Sequence, residues 1–211
     1  MRVVVVDTGL GNLRSVEKAL LAAGGRAGID DLEVERSNDP EVVRRADRLV
    51  FPGQGGFRDC VTALGSGLGD ALVERIGAGT PYFGICLGLQ VLFERSDEAP
   101  EARGLGLFAG HVARLGNEGG VKIPHMGWNQ VELGPSPHPL LERAGGAGTW
   151  FYFVHSYHAL ADDADLVVAR CHHGENVVTA AVARDNVFAC QFHPEKSQDA
   201  GLALLAAFLS S

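Results

Sequence analysis

Pro81-Tyr82-Phe83-Gly84-Ile85-Cys86-Leu87-Gly88-Leu89-Gln90 is the stretch of this 211-residue chain on which the fold turns. The apolar run from Pro81 to Ile85 predicts a short buried strand, and Leu87 to Arg95 reads as a helix directly behind it, with Leu89, Leu92 and Phe93 facing inward. Between them, Gly84-Ile85-Cys86-Leu87-Gly88 has the spacing of a G-x-S-x-G nucleophile elbow with sulfur in place of oxygen. A nucleophile on so sharp a strand-to-helix turn takes strained backbone angles. Small residues two places before and after it let the turn close and a substrate approach. The partial positive charge of a helix N-terminus also lowers a thiol from its ordinary pKa of ~8.5 toward ~3.5–7.5.

The same strand–turn–helix unit recurs on the N-terminal side. Arg2 to Asp7 is a β-branched run ending at Gly9-Leu10-Gly11, and Leu13, Val16, Leu20 and Leu21 then follow at helical spacing. Leu32 to Glu35 alternates like a strand, Glu41 to Asp47 suits a short helix, and Arg48 to Phe51 is a buried strand closed by Pro52-Gly53-Gln54-Gly55-Gly56. A further helix is expected over much of Arg58 to Ile76. Strands alternating with helices imply a central, mostly parallel sheet flanked by helices on both faces, an α/β fold. Past about residue 104 the pattern changes. Trp128 to Leu133, Trp150 to Val154, Asp165 to Arg170, Val177 to Ala183 and Val187 to Phe192 are strand-like with little helix between them, so an antiparallel part is added. Arg184-Asp185-Asn186 joins the last two as a hairpin loop, and a helix from about Gln198 to Leu209 closes the chain. With no internal repeat, low-complexity tract or long linker, residues 1–211 read as one domain.

Composition removes whole classes of function. Apolar residues make up 46% and charged ones 21%, ordinary globular usage, and Lys+Arg 18 against Asp+Glu 26 leaves a net charge of -8 with no basic cluster for nucleic acid or an anionic membrane. Val3 to Val6 is too short for a signal-peptide core and nothing later approaches the ~20 apolar residues of a membrane span, so a cytoplasmic protein is expected. The four cysteines, Cys60, Cys86, Cys171 and Cys190, stand far apart, which suits reduced thiols rather than a disulfide frame or zinc site.

A second candidate stretch is Gln191-Phe192-His193-Pro194-Glu195. Residues i and i+2 of extended backbone point the same way, so Glu195 can hold the His193 imidazole in one tautomer while its other nitrogen faces a thiol. With Cys86 this makes a nucleophile, base and orienter set. Phe51-Pro52-Gly53-Gln54-Gly55-Gly56 emerges at the same carboxyl edge, and an amide near Gly53 or Gln54, together with that of Leu87, would form an oxyanion hole. Other features are decoys. Gly9-Leu10-Gly11-Asn12-Leu13-Arg14 imitates a dinucleotide fingerprint, but Arg14 stands where the third glycine must be, and no G-K-[ST] occurs, which excludes a P-loop. In Cys171-His172-His173 adjacent residues face opposite ways, so no metal site is expected.

Together these residues resemble the class I (triad) glutamine amidotransferases, through the elbow with Leu89-Gln90 behind it, Pro52-Gly53-x-Gly55 and His193-Pro194-Glu195. Four further stretches are similar to the glutaminase subunits of imidazole glycerol phosphate synthase: Asp7 to Ser15, Lys122-Ile123-Pro124-His125-Met126-Gly127-Trp128-Asn129, Phe151 to Tyr157, and Gln191 to Ser197. The match runs in order over nearly the whole chain. The resemblance implies hydrolysis of L-glutamine to glutamate and ammonia, without metal or organic cofactor, and transfer of the ammonia to a (β/α)₈-barrel cyclase subunit in a heterodimer. That partner would form imidazole glycerol phosphate and an aminoimidazole carboxamide ribotide, in histidine biosynthesis. By the same resemblance Cys86 is nucleophile, His193 acid and base, and Glu195 the orienting carboxylate. Gln90 with His155, Ser156 and Tyr157 holds the glutamine head group, beside Gly53, Gln54 and Leu87 at the oxyanion hole. Asn12, Trp128 and Lys196 lie toward the partner, and Thr8 stands in that partner-facing loop where the family usually has tyrosine. Competing readings are a glutaminase subunit of another biosynthetic amidotransferase, a free-standing glutaminase, and a catalytically silent binding subunit.

Overall fold

Four successive valines, Val3 to Val6, are fully buried in β1 (Arg2–Val6) because both faces of that strand are covered. The computed structural model describes residues 1–118 and 120–211. In its first half the elements run β1, α1 (Leu13–Ala27), β2 (Glu33–Ser37), α2 (Pro40–Arg44), β3 (Arg48–Gly53), α3 (Phe57–Ala63), α4 (Leu68–Gly77), β4 (Tyr82–Cys86) and α5 (Leu87–Gln90). The second half runs β5 (Phe93–Ser96), β6 (Ala99–Arg103), β7 (Phe108–Arg114), β8 (His125–Gln130), β9 (Glu132–Leu133), α6 (Pro139–Arg143), β10 (Trp150–His155), β11 (Tyr157–Ala161), β12 (Val167–His173), β13 (Asn176–Arg184), β14 (Val187–Cys190) and α7 (Gln198–Leu209). The main sheet has the order β2-β1-β3-β4-β14-β13-β12-β9, parallel from β2 to β14 and antiparallel beyond.

Period-two alternation sorts the strand residues between two cores. Val3 and Val5 pack with Val16 and Leu20 of α1, and with Leu204, Leu205 and Phe208 of α7. Val4 and Val6 pack on the other face with Val43, Phe57, Leu68 and Leu72. The α/β class, the mostly parallel sheet and the added antiparallel part are as the sequence predicts. Two smaller sheets extend it: the β8–β10 ribbon and a four-stranded sheet of order β11-β7-β5-β6.

Several boundaries differ, each for a physical reason. The helix expected over Arg58 to Ile76 is broken into α3 and α4, because Ser66 and Gly67 take positive φ of 57° and 88°. The helix expected from Leu87 to Arg95 ends at Gln90. Val91 and Leu92 carbonyls accept from the Leu105 and Phe108 amides at 2.7 and 3.0 Å, so a strand partner captures the backbone groups that a longer helix needs. Consequently the dipole behind Cys86 is that of a single turn. Trp128 to Leu133 divides between β8 and β9, which belong to different sheets, and Asp165 lies in a 3₁₀ turn before β12. The hairpin tightens until Arg184 pairs with Val187, with Asp185 at φ 51° in the turn. Among the described residues no helix is long and apolar enough to cross a membrane.

The elbow is closed by contact that leaves no room for a side chain. A Cβ on Gly88 would overlap the Phe51 carbonyl oxygen, and one on Gly84 would sit 2.5 Å from the Gly88 carbonyl oxygen. Buried Tyr82 donates to that Gly88 carbonyl at 2.7 Å. Gly88→Ala is therefore expected to lower the urea unfolding free energy by about 3 kcal/mol or more. Gly25→Ala, in open space on α1, should raise it by about 0.5–1 kcal/mol in the same measurement.

Candidate active site

Three parallel strands end side by side, and each delivers one part of the site. Gly53 ends β3 in register with Cys86 at the end of β4, and β14, also paired to β4, leads through Gln191 and Phe192 to His193. Cys86 has φ 54° and ψ −101°, the strained geometry the elbow spacing predicts, and it borders the cleft. A Cβ on Gly53 would lie 2.8 Å from Leu87 Cβ, so the two residues expected at the oxyanion hole are in contact range.

His193 Nδ1 and Glu195 Oε1 are 2.9 Å apart, with side chains only 1% and 3% exposed. The expected contact thus forms, although the backbone after His193 curls into a 3₁₀ turn, Pro194–Lys196, instead of staying extended. Ser197 fixes that turn. Its hydroxyl donates to the His193 carbonyl at 2.6 Å and accepts from the Tyr152 amide at 3.0 Å, while Gly201 of α7 lies so close that a Cβ there would strike the Pro194 carbonyl. His193 Nε2 is buried with no hydrogen-bond partner, as is Glu195 Oε2. An unsatisfied imidazole nitrogen beside a thiol is poised to bond a reacting group. Burial alone would lower the His193 imidazolium, but Cys86 and Glu195 outweigh it and raise the pKa to about 9.

The cleft in front of these groups has a volume of about 490 Å³ and is lined by Gln54, Cys86, Leu87, Gln90, Glu98, His155, Ser156, Tyr157 and Lys196 among others. All the residues that the resemblance places around a glutamine head group except Gly53 therefore line one cavity, and Gly53 sits behind Leu87. Two contributors carry no assignment in the sequence reading. Gln191 is fully buried and its Nε2 donates to Cys86 Sγ at 3.4 Å. Strand parity could have found it, since it stands two residues before His193. Glu98 lines the cleft and its Oε2 accepts from the Phe57 amide at 2.9 Å. It sits between β5 and β6, strands the sequence did not disclose, so no local signal marks it.

The remaining expected positions lie toward the rim or outside. Asn12 is exposed and caps α1, accepting from the Ser15 amide at 3.3 Å. Trp128 is exposed against Tyr152, over whose ring Lys196 Nζ sits 5.8 Å from the centroid. Thr8 Oγ1 is buried without a partner. The other thiols are free and buried, with Cys60 and Cys171 pushed up to about 12 by burial, Glu132 adding to the effect at Cys171. His172 approaches Glu132 while His173 stacks on His125, so the pair does divide between opposite directions. Among the described residues no three His, Cys, Asp or Glu side chains are grouped to hold a metal ion.

Residues 4–210 match the family model of glutamine amidotransferase class-I. The chain is 47% identical over 209 residues to the imidazole glycerol phosphate synthase subunit HisH of Thermosynechococcus vestitus, covering 99% of this chain and 96% of that one. It is 49% identical over 215 residues to the subunit of the same name from Methylococcus capsulatus, covering 98% and 95%. A crystal structure of a glutamine amidotransferase superposes with a TM-score of 0.70 at 23% identity over 97% of this chain and 98% of that one, a likeness of fold. With the elbow, the buried imidazole and the family match all spanning the same residues, the chain belongs to the class-I glutamine amidotransferases, and among them to the family of the HisH subunits.

Proposed function

We propose that this chain is the glutaminase subunit of an imidazole glycerol phosphate synthase, and that Cys86, His193 and Glu195 carry the hydrolysis. The observation that supports it most is the meeting of a strained, cleft-lining thiol with a buried imidazole whose free Nε2 has no other partner. Cys86 thiolate attacks the side-chain amide carbon of L-glutamine, forming a C–S bond, and the oxygen takes up the negative charge against the amides at Leu87 and the Gly53–Gln54 loop. His193 gives its Nε2 proton to the departing nitrogen, and ammonia leaves a thioester. Water then surrenders a proton to His193 as it attacks, the C–S bond breaks, and glutamate is released. Glu98 supplies a carboxylate on the cleft wall suited to the ammonium of a free amino acid, which distinguishes this substrate from a peptide amide. No step calls for a metal or organic cofactor.

The reading includes a partner. The outward face of the β8–β10 ribbon leaves Met126 62%, Trp128 43% and Trp150 52% exposed beside the cleft. An apolar face rimmed by polar residues marks a contact surface. We assign it, with Lys196 and the Asn12 loop, to a (β/α)₈-barrel cyclase subunit that receives the ammonia in a cytoplasmic heterodimer. Because hydrolysis without the acceptor wastes glutamine, turnover should depend on the partner's ligand.

Glutamate release from glutamine is expected to be low for the chain alone, to rise strongly with the cyclase subunit and its ribotide ligand, and to vanish in Cys86→Ala. High unaided activity indifferent to the partner would instead identify a free-standing glutaminase. The pH profile carries a second expectation. His193 keeps its proton up to about pH 9, so kcat/KM should fall as pH rises through that value and the leaving nitrogen loses its acid. Since Glu195 helps raise the imidazolium, Glu195→Gln should move this alkaline limb to lower pH, and an unmoved limb would remove Glu195 from the role given to it.

A further inference from the structure

A hydrogen-bonded chain of fixed direction crosses from the β8–β10 ribbon to the cleft. It starts at Asn129, whose Oδ1 accepts from the Gln130 amide at 2.8 Å and whose Nδ2 donates to the His172 carbonyl at 2.7 Å. Those two bonds decide which end of the carboxamide is which, so Nδ2 is the donor in the 3.1 Å contact with His125 Nε2. A neutral imidazole that accepts at Nε2 carries its proton on Nδ1. His125 Nδ1 accordingly donates to His155 Nε2 at 2.9 Å, and His155 carries its own proton on Nδ1, donating to the Tyr157 carbonyl at 3.0 Å. Read from the other end the assignment is the same, because the Tyr157 carbonyl can only accept. Burial, with neighbouring histidines adding to it, lowers His125 to about 4 and His155 well below its ordinary value, so both stay neutral.

The far end of the chain reaches the substrate site. The Tyr157 carbonyl also accepts from Gln90 Nε2 at 3.0 Å, and the second hydrogen of that Nε2 goes to Gln191 Oε1 at 3.2 Å. Both donor hydrogens of Gln90 are thereby committed to protein. Its Oε1 is engaged by none of the described residues, and Gln90 lines the cleft. Had His155 the opposite tautomer, a nitrogen lone pair would face the Tyr157 carbonyl, the turn His155-Ser156-Tyr157 would lose its tie, and the Gln90 carboxamide could reverse.

We propose that Asn129 and His125 are positioning residues: they fix the tautomer of His155 and, through the Tyr157 carbonyl, orient Gln90 so that it presents oxygen to an N–H group of the substrate. This rests on the glutaminase reading and concerns what fixes the Gln90 carboxamide from outside the cleft. Neither residue touches the reacting atoms. They act on ground-state binding, which appears in KM more than in kcat.

The first test needs no variant: ¹⁵N NMR of the wild-type histidines should show His155 as the Nδ1–H tautomer, and the Nε2–H form would overturn the proposal outright. The second measures glutamine kinetics in the complex with the cyclase subunit and its ligand. His125→Leu should raise KM about tenfold with kcat within about threefold, while His125→Gln, which can both accept from Asn129 and donate to His155, should return KM to within about threefold of wild type. An unchanged KM in His125→Leu, or equal defects in both variants, would refute it. If the wild-type complex hydrolyses no glutamine, the glutaminase reading falls, and the His155 tautomer still decides the hydrogen-bond chain on its own.

Discussion

The close passage of the β4–α5 backbone over β3 is the constraint on which the site depends. Gly88 lies against the Phe51 carbonyl and Gly84 beneath the Gly88 carbonyl, with Tyr82 holding the latter by a buried hydrogen bond. Because nothing larger than hydrogen fits there, the chain turns within one residue and Cys86 is driven into a backbone conformation that a side chain seldom adopts. The strain is confined by the buried residues of the strands on both sides, Leu49 to Gly53 of β3 and Val187 to Cys190 of β14, so it cannot relax without opening the sheet. The same tight passage places Gly53 behind Leu87 and so brings the glycine loop to Cys86.

Around that fixed point the site is built by order in the sheet rather than order in the chain. Gly53, Cys86 and the His193 turn come from β3, β4 and β14, adjacent only because a parallel sheet sets them side by side. His193 is then held from three directions: by Glu195 at Nδ1, by Ser197 at its carbonyl, and by the Tyr152 carbonyl, which accepts from its amide at 2.8 Å. Burial and charge act against each other on the imidazole. The nearby thiol and carboxylate win, and a protonated imidazole persists where desolvation alone would discharge it.

The histidines of the β8–β10 ribbon show the opposite balance. His125 and His155 face carboxamide and carbonyl groups and one another, so burial dominates and they remain neutral donors and acceptors. Two sets of imidazoles on the same side of the fold thus differ in charge, one held protonated beside a thiol and a carboxylate and the other neutral. That division also places the exposed tryptophan face and the cleft on one ribbon, since alternate residues of β8 point outward to Met126 and Trp128 or inward to His125 and Asn129.

What could be read from the sequence alone was whatever depends on neighbours in the chain. The glycine spacing around Cys86, the two-residue step from His193 to Glu195, the valine run of β1 and the limits of α7 are local properties, and local sterics or periodicity dictate them. Tertiary structure decided the rest. The helical spacing after Cys86 continues to Arg95, yet the segment leaves the helix at Gln90 because residues 105–108 compete for its carbonyls. Glu98 reaches the cleft only through the sheet that this competition creates. Strand parity gives the face on which Gln191 stands, but that it meets Cys86 and Gln90, and that His125 meets His155, across long stretches of chain is recorded by no pattern in the sequence. A hydrogen bond is specified by where two polar atoms meet in space, and that meeting exists only once the sheet has set its strands in order.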